Sequence, residues 1–212
     1  MRSLSARFDA AVAAIEAANE QDPNVVVVRG RELPLALAHG HLAAEWIGRL
    51  VDEPDEALLL AARAHHLRRW EMRRDSYPLG RPGYLRWRRD QKARHARDVA
   101  GILTTCGYET AAIERVQGLI RRENVDGSQA VEDAACLVFI ETQLGSLAAR
   151  MEHDLMVEVI RKTARKMSQA GIALVASIPL SASEVALLRA AIGGEQPGTR
   201  SENGPNDLPP TH

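Results

Sequence analysis

The chain has 212 residues, of which 45% are apolar, so it is long enough and apolar enough to fold around a core. Its two cysteines, Cys106 and Cys136, exclude a disulfide scaffold and a cysteine-rich zinc module. The formal net charge of −1 argues against a general nucleic-acid coat protein. Because no apolar run approaches the length of a membrane-spanning helix, we expect a cytoplasmic protein with no membrane partner.

Helical periodicity dominates the chain as far as residue 192. Apolar spacing predicts eight helices, over residues 5–20, 35–51, 55–72, 84–105, 109–123, 129–149, 154–170 and 182–192. The valine run 25–28 is too short to anchor a sheet, and the Pro- and Gly-rich segment 73–83 predicts an ordered loop. We therefore expect an all-α single domain of about seven or eight helices over residues 1–192. Beyond it, Gly, Pro, Ser, Asn and Glu predict a disordered tail over 193–212.

The near-neutral total charge hides a strongly basic segment. Residues 63–97 contain twelve basic and three acidic residues, a charge of about +9, which leaves about −10 for the rest of the chain. The same segment holds four of the eight aromatic residues, Trp70, Tyr77, Tyr84 and Trp87. Arg can bind phosphate through two parallel hydrogen bonds, and Trp or Tyr rings stack on bases or on Arg. The segment therefore predicts a site for an anionic small molecule such as a nucleotide.

Five polar residues interrupt apolar stretches and are candidates for a single site. His41 lies on an apolar helix, His65 and His66 directly follow an apolar turn, and His95 and Asp133 each begin an apolar stripe. The alternative for the histidines is a set of hydrogen-bonded core residues. A buried carboxylate is costly unless it is paired or holds a metal, so we expect Asp133 to do one or the other. Neutral imidazole together with carboxylate suits Zn, Mn or Fe.

The order of these residues on four helices resembles the HD superfamily of metal-dependent phosphohydrolases. The local text is also similar, in HLAAEWIGRL (41–50), AARAHH (61–66) and HARDVAGIL (95–103). The resemblance implies an HD-like bundle that holds a divalent metal (Mn, Fe or Zn) through His41, His65, His66, His95 and Asp133. Asp133 and His66 would also be catalytic. His66 replaces the aspartate of the His-Asp pair, and residues 96–132 contain no histidine, which leaves a one-metal or a degenerate site.

To about residue 175 the chain also resembles a family called domain of unknown function 4202. Eight collinear stretches carry this resemblance: RFDAA (7–11), AANEQDPN (17–24), HLRRW (66–70), SYP (76–78), GYLRWR (83–88), HA (95–96), EDAACLVF (132–139) and KTARKMS (162–168). The family brings no established activity. Among the candidate site residues, its pattern includes His66, His95 and Asp133.

Three functions follow from these residues, and the sequence leaves the enzymatic role and the oligomeric state open. The first is a metal-dependent phosphohydrolase in which a metal-bound water attacks a nucleotide or other phosphate ester. The second is a non-catalytic module that binds RNA or an anionic metabolite, and the third is an oxygenase that uses one iron. The expected substrate-binding residues are Arg69, Trp70, Arg74, Tyr77, Tyr84, Arg86, Trp87, Arg88, Lys162 and Lys166.

Overall fold

The computed structural model describes residues 5–192, and this part of the chain is almost entirely helical. The helices are α1 (Ala6–Asn19), α2 (Leu35–Leu50), α3 (Glu56–Ala64), α4 (Gly80–Thr105), α5 (Thr110–Arg121), α6 (Ser128–Thr142), α7 (Leu144–Ala148), α8 (His153–Ala164), α9 (Gln169–Val175) and α10 (Ala182–Ile192). The all-α prediction is therefore confirmed for the described residues. The tail predicted over 193–212 lies outside them.

A two-stranded hairpin precedes α2. Strand β1 (Val25–Val28) pairs antiparallel with β2 (Arg31–Pro34), so the expectation that the valine run forms no sheet was wrong. The reason is the turn, because Arg29 and Gly30 both have positive φ, 50° and 79°, as tight hairpins require. The hairpin leads directly into α2, where the Leu35 N–H donates to the Asn24 carbonyl at 2.8 Å.

Three predicted helices are shortened or divided, and each break places polar side chains near one another. The helix predicted over 55–72 ends at Ala64, and the following turn carries His65, His66 and a left-handed Arg68 with φ of 50°. The helix predicted over 129–149 is divided at Gln143. The helix predicted over 154–170 is divided between α8 and α9, where Ser168 caps α9. The loop predicted over 73–83 is also shorter, because α4 begins at Gly80.

Helix α3 lies in the middle of the core. It packs against α1, α2, α5 and α6, and Leu60, Ala61 and Ala62 are fully buried, as expected for a helix without a polar face. Helix α2 also packs on α6, and α4 packs on α5. Within residues 5–192, no helix is long and apolar enough to cross a membrane.

Candidate functional site: a cation-lined cavity beside four histidines

The cavity that gathers most of the candidate residues, the main cavity of the site, has a volume of about 240 Å³ and is lined by α2, the turn after α3, α4, the end of α5, α6, α7 and the end of α8. Four histidines line it together with many charged groups. Among the described residues, its charged lining consists of Arg69, Arg74, Arg88, Lys92, Arg122, Lys166 and Glu132. Six cationic side chains thus face one carboxylate.

Helix α4 contributes one of its faces to the cavity. The lining residues recur at intervals of three and four, as helical geometry requires, and they are Tyr84, Trp87, Arg88, Gln91, Lys92 and His95. Arg86, Arg89 and Arg97 are exposed on the other faces. The single basic helix is thereby divided into a cavity face and a solvent face.

Helix α6 contributes a second face with the same spacing. Glu132, Cys136, Phe139 and Gln143 line the cavity. The neighbouring face begins with Asp133 and continues through buried Leu137, Ile140 and Leu144. The two faces are offset by one residue along the helix. The adjacent carboxylates of Glu132 and Asp133 therefore have different surroundings.

The four histidines form a connected cluster. The Nδ1 atoms of His39 and His66 are 2.9 Å apart. The ring centroids of His65 and His66 are 4.1 Å apart, and those of His66 and His95 are 6.2 Å apart. The cluster joins α2, the turn after α3, and α4.

Backbone carbonyls set the tautomers of two of these rings. His65 Nδ1 lies 2.7 Å from the Ala62 carbonyl, and His95 Nδ1 lies 2.7 Å from the Leu67 carbonyl. A carbonyl only accepts, so each Nδ1–H donates and each Nε2 carries a lone pair. Both Nε2 atoms are buried and have no hydrogen-bond partner among the described residues.

The histidines are neutral at neutral pH. Burial lowers the pKa of His39, His65 and His95 to about 3 and brings the pKa of His66 well below its ordinary value. The positive charge of Arg69 contributes to the lowered pKa of all four. Because a charged imidazole is disfavoured here, the cations of the cavity are its arginines and lysines.

These cations are themselves held at a cost in free energy. Burial lowers the pKa of Arg69 to about 10, and the charge of Arg88 lowers it further. Burial also lowers the pKa of Lys92 to about 8, with a second contribution from the charge of Arg122. Crowded cations repel one another, and an anion placed among them would relieve that repulsion.

Glu132 is committed to one of the cations. Its carboxylate accepts from Arg122 Nε at 2.9 Å, while Arg122 Nη1 donates to the Leu119 and Ile120 carbonyls at 3.2 Å. Burial alone would raise the pKa of Glu132, but the charge and the hydrogen bond of Arg122, together with the charges of Lys92 and Lys166, outweigh it and the pKa is lowered. Glu132 therefore stays ionised and orients Arg122.

The loop between α3 and α4 is fixed against α4 by hydrogen bonds. Trp87 Nε1 donates to the Met72 carbonyl at 2.9 Å, and Gln91 Nε2 donates to the Arg69 carbonyl at 2.9 Å. The Arg69 guanidinium lies 4.7 Å from the centroid of the Trp87 ring, a cation–π contact. These contacts hold Arg69 in the cavity wall.

Six of the ten expected substrate-binding residues line the main cavity: Arg69, Arg74, Tyr84, Trp87, Arg88 and Lys166. The other four lie elsewhere. Trp70 lines only a neighbouring cavity, Tyr77 donates to Asp90 at 3.2 Å, and Arg86 is exposed. Lys162 lies on the outer side of α8, 3.5 Å from Glu158. The structure therefore does not bring Tyr77, Arg86 and Lys162 into the main cavity, and the sequence did not define which side chains of each segment face it.

His41 is not in the histidine cluster, contrary to expectation. Its Nε2 lies 2.9 Å from Glu16 Oε1, and its side chain is 38% exposed. His39, two residues earlier, is 2% exposed and occupies the cavity. Ten of the sixteen residues of α2 are buried, and they surround most of the helix, so apolar periodicity does not separate the two. The available signal was the polar stripe of His41, Glu45 and Arg49.

Asp133 is also placed away from the histidines, although it was expected as a metal ligand and catalytic residue. Its carboxylate accepts from Ser168 N at 2.8 Å, Ser168 Oγ at 2.5 Å and Gln129 Nε2 at 2.9 Å. These donors compensate its burial and fix the start of α9. Asp133 therefore joins two helices rather than facing the cavity.

We expect Asp133→Asn to destabilise the protein by about 2 kcal/mol, since charge-assisted hydrogen bonds to a buried group are lost. Affinity for any ligand of the cavity should change less than twofold. Urea unfolding and a binding titration on the same sample would measure both. A large loss of affinity at unchanged stability would contradict the placement of Asp133.

Sequence reasoning missed several residues that line the cavity, among them His39, Lys92, Arg122, Glu132 and Gln143. Lys92 could have been identified from the sequence. It lies four residues after Arg88, just as Gln91 lies four residues after Trp87, so all four share one helix face. Arg122 and Gln143 lie at helix ends, where Arg122 has φ of 60° and helical periodicity no longer applies.

The present arrangement does not suit a metal ion. Among the described residues, no group of three or more His, Cys, Asp or Glu side chains has a geometry that could hold one. Glu132, the one carboxylate among the described lining residues, is paired with Arg122. The positive charge of Arg69 beside all four imidazoles would also oppose a second cation.

Fold and site together define an all-helical protein with a cation-lined cavity beside a cluster of neutral histidines. The family model described as domain of unknown function (DUF4202) matches residues 9–188. The chain therefore belongs to this family. No curated protein and no solved structure matches the chain.

Proposed function

We propose that this protein binds a small phosphate-bearing molecule in the main cavity. The observation that carries the proposal is the excess of cations, six against one carboxylate among the described residues that line it. A phosphate ester carries up to two negative charges on three oxygens, so it suits donors that approach from several directions. Arg69 and Arg88 approach from one side, and Arg122 and Lys166 come from other segments of the chain.

The size of the cavity favours a small molecule over a polymer. Its volume of about 240 Å³ is just below the usual range of about 300–1,000 Å³ for small-molecule sites, so it suits one small group. The exposed arginines of α4 could attract an anion from solution, but they lie outside the cavity. The cavity is thus the part of the surface that supports a specific ligand.

Titration calorimetry with methylphosphonate, which resembles a phosphate ester and is not hydrolysed, would test the proposal. We expect saturable one-to-one binding, weakened at least tenfold in Arg88→Gln. Arg86→Gln is the matched control, because Arg86 is on the same helix but exposed. Equal affinity in the two variants, or no binding to the wild-type chain, would contradict the proposal.

A second candidate is the metal-dependent phosphohydrolase to which the HD resemblance points, and it requires the present side-chain arrangement to change when a metal binds. The observation in its favour is the pair of buried, unpartnered Nε2 atoms of His65 and His95, whose tautomers are set by carbonyls as in many metal ligands. Metal analysis of protein purified without a histidine tag, before and after reconstitution with Mn, Fe or Zn, would test it. Less than about a tenth of an equivalent in every case would exclude this candidate.

A further inference from the structure

A second cavity adjoins the main one. It encloses about 190 Å³. The two cavities share six lining residues, which are His39, His66, Arg69, Arg74, Trp87 and Gln143. They are therefore neighbours that meet along these side chains.

The second cavity has a different chemical character. Beyond the shared side chains, its lining is largely apolar and includes Pro23, Leu35, Ala36, Trp70 and Met72. Outside the shared side chains its charges are one arginine, Arg73, and two aspartates, Asp22 and Asp75, so this part of the lining has no excess of cations.

The charged groups of the second cavity are already engaged within the protein. Asp22 Oδ1 accepts from the Asn24 N–H at 3.0 Å, and Asp22 Oδ2 accepts from the Ala36 N–H at 3.0 Å. Arg73 forms an ion pair with Asp75 at 2.5 Å. What this cavity offers a ligand is mainly apolar and aromatic surface, including the half-buried Trp70.

From these two linings we infer that the ligand is a phosphate ester with a flat apolar ring, as in a nucleoside monophosphate or an aryl phosphate. The phosphoryl group occupies the main cavity, and the ring occupies the second cavity against Trp70 and Met72. The inference rests on the proposed function, because it takes the main cavity as the phosphate site. Aromatic side chains bind flat rings by stacking with little dependence on the identity of the ring.

The side chains that line both cavities would contact the part of the ligand that joins the phosphoryl group to the ring. His39 Nε2 lies 3.2 Å from Thr142 Oγ and 3.4 Å from Gln143 Nε2, so its ring and the Gln143 amide are held at the junction. Both ring nitrogens of His39 are engaged, Nδ1 with His66 and Nε2 with Thr142 and Gln143, whereas the Gln143 amide keeps a second N–H and its carbonyl oxygen for a ligand. Hydroxyl or ether oxygens of a linker would therefore find partners there.

Comparison of methylphosphonate, phenylphosphonate, ribose 5-phosphate and adenosine 5′-monophosphate in binding titrations of the wild-type chain tests the inference. We expect phenylphosphonate and adenosine 5′-monophosphate, which carry an aromatic ring, to bind at least tenfold more tightly than methylphosphonate and ribose 5-phosphate, which do not. Equal affinity for all four would overturn the inference and leave the proposed function intact. No binding by any of them would overturn both.

A variant series adds an independent measurement. Trp70→Ala should remove most of the advantage of the ring-bearing compounds and change methylphosphonate affinity less than twofold, whereas Trp70→Phe should keep part of it. Leu85→Ala is the control, because Leu85 is 53% exposed and lines neither cavity. An unchanged advantage in a folded Trp70→Ala protein would overturn the inference. If Trp70→Ala does not fold, the comparison of the four compounds on the wild-type chain decides by itself.

Discussion

Acidification from pH 7 to about 4.5 is expected to destabilise the protein by several kcal/mol, because the fold keeps four clustered imidazoles neutral. The unfolded chain takes up protons below the ordinary histidine pKa of 6.5, while the folded protein resists protonation until about pH 3. Between these values the unfolded state binds more protons, so stability falls as the pH falls. His39, His65 and His95 each contribute roughly 2 kcal/mol at pH 4.5 on this basis, and His66 acts in the same direction.

Urea unfolding at pH steps from 7.5 to 4 would measure this loss. His65→Gln should give a shallower dependence, since one titrating group is removed. His153→Gln should leave the slope nearly unchanged, because its side chain is 68% exposed and lies outside the cluster. A free energy of unfolding that stays constant from pH 7 to 4.5 would show that the cluster is not held neutral.

Lys92→Met should have opposite effects on ligand binding and on the stability of the empty protein. Phosphonate affinity should fall about 10- to 100-fold, as expected for the loss of one charge-assisted hydrogen bond. The free energy of unfolding without ligand should rise by about 1 kcal/mol, after allowance for screening by solvent, because a cation disfavoured by burial and repelled by Arg122 is removed. Replacement of a residue with a purely structural role would not lower phosphonate affinity while raising the free energy of unfolding.

The pH dependence of the Lys92 effect has a defined sign. Its pKa is lowered to about 8 in the folded protein from an ordinary value of 10.5, so the charged form is disfavoured by folding. The stability advantage of Lys92→Met should be full below pH 8 and should vanish as the pH rises to 10.5. Lys162→Met is the matched control, because Lys162 pairs with Glu158 on the outer side of α8. Lower stability of the Lys92 variant at pH 7 would contradict the proposed repulsion.

The candidate site was partly predictable because α4 carries its own pattern. Tyr84, Trp87, Arg88 and His95 recur with helical spacing, and all four line the cavity. The choice between neighbouring residues was not predictable in the same way. His39 and His41 lie on a helix buried on most sides, and apolar periodicity loses its meaning where buried positions surround most of the helix.

The two adjacent carboxylates of α6 show the same difficulty. Glu132 and Asp133 differ by about 100° around the helix axis, so a modest rotation decides which one faces the cavity. That rotation depends on Ser168, which lies 35 residues away and holds Asp133 against α9. The sequence contains both partners but does not say that they meet.

Composition and local periodicity by themselves determined the helical class of this protein, the approximate positions of most helices and the concentration of positive charge between residues 63 and 97. These features depend on near neighbours along the chain, which is why they can be inferred without a fold. Only the tertiary structure decided that Arg122, Glu132 and His39 join that charge at one cavity. Their positions depend on helix ends and on the rotation of packed helices, which are set by contacts between segments far apart in sequence.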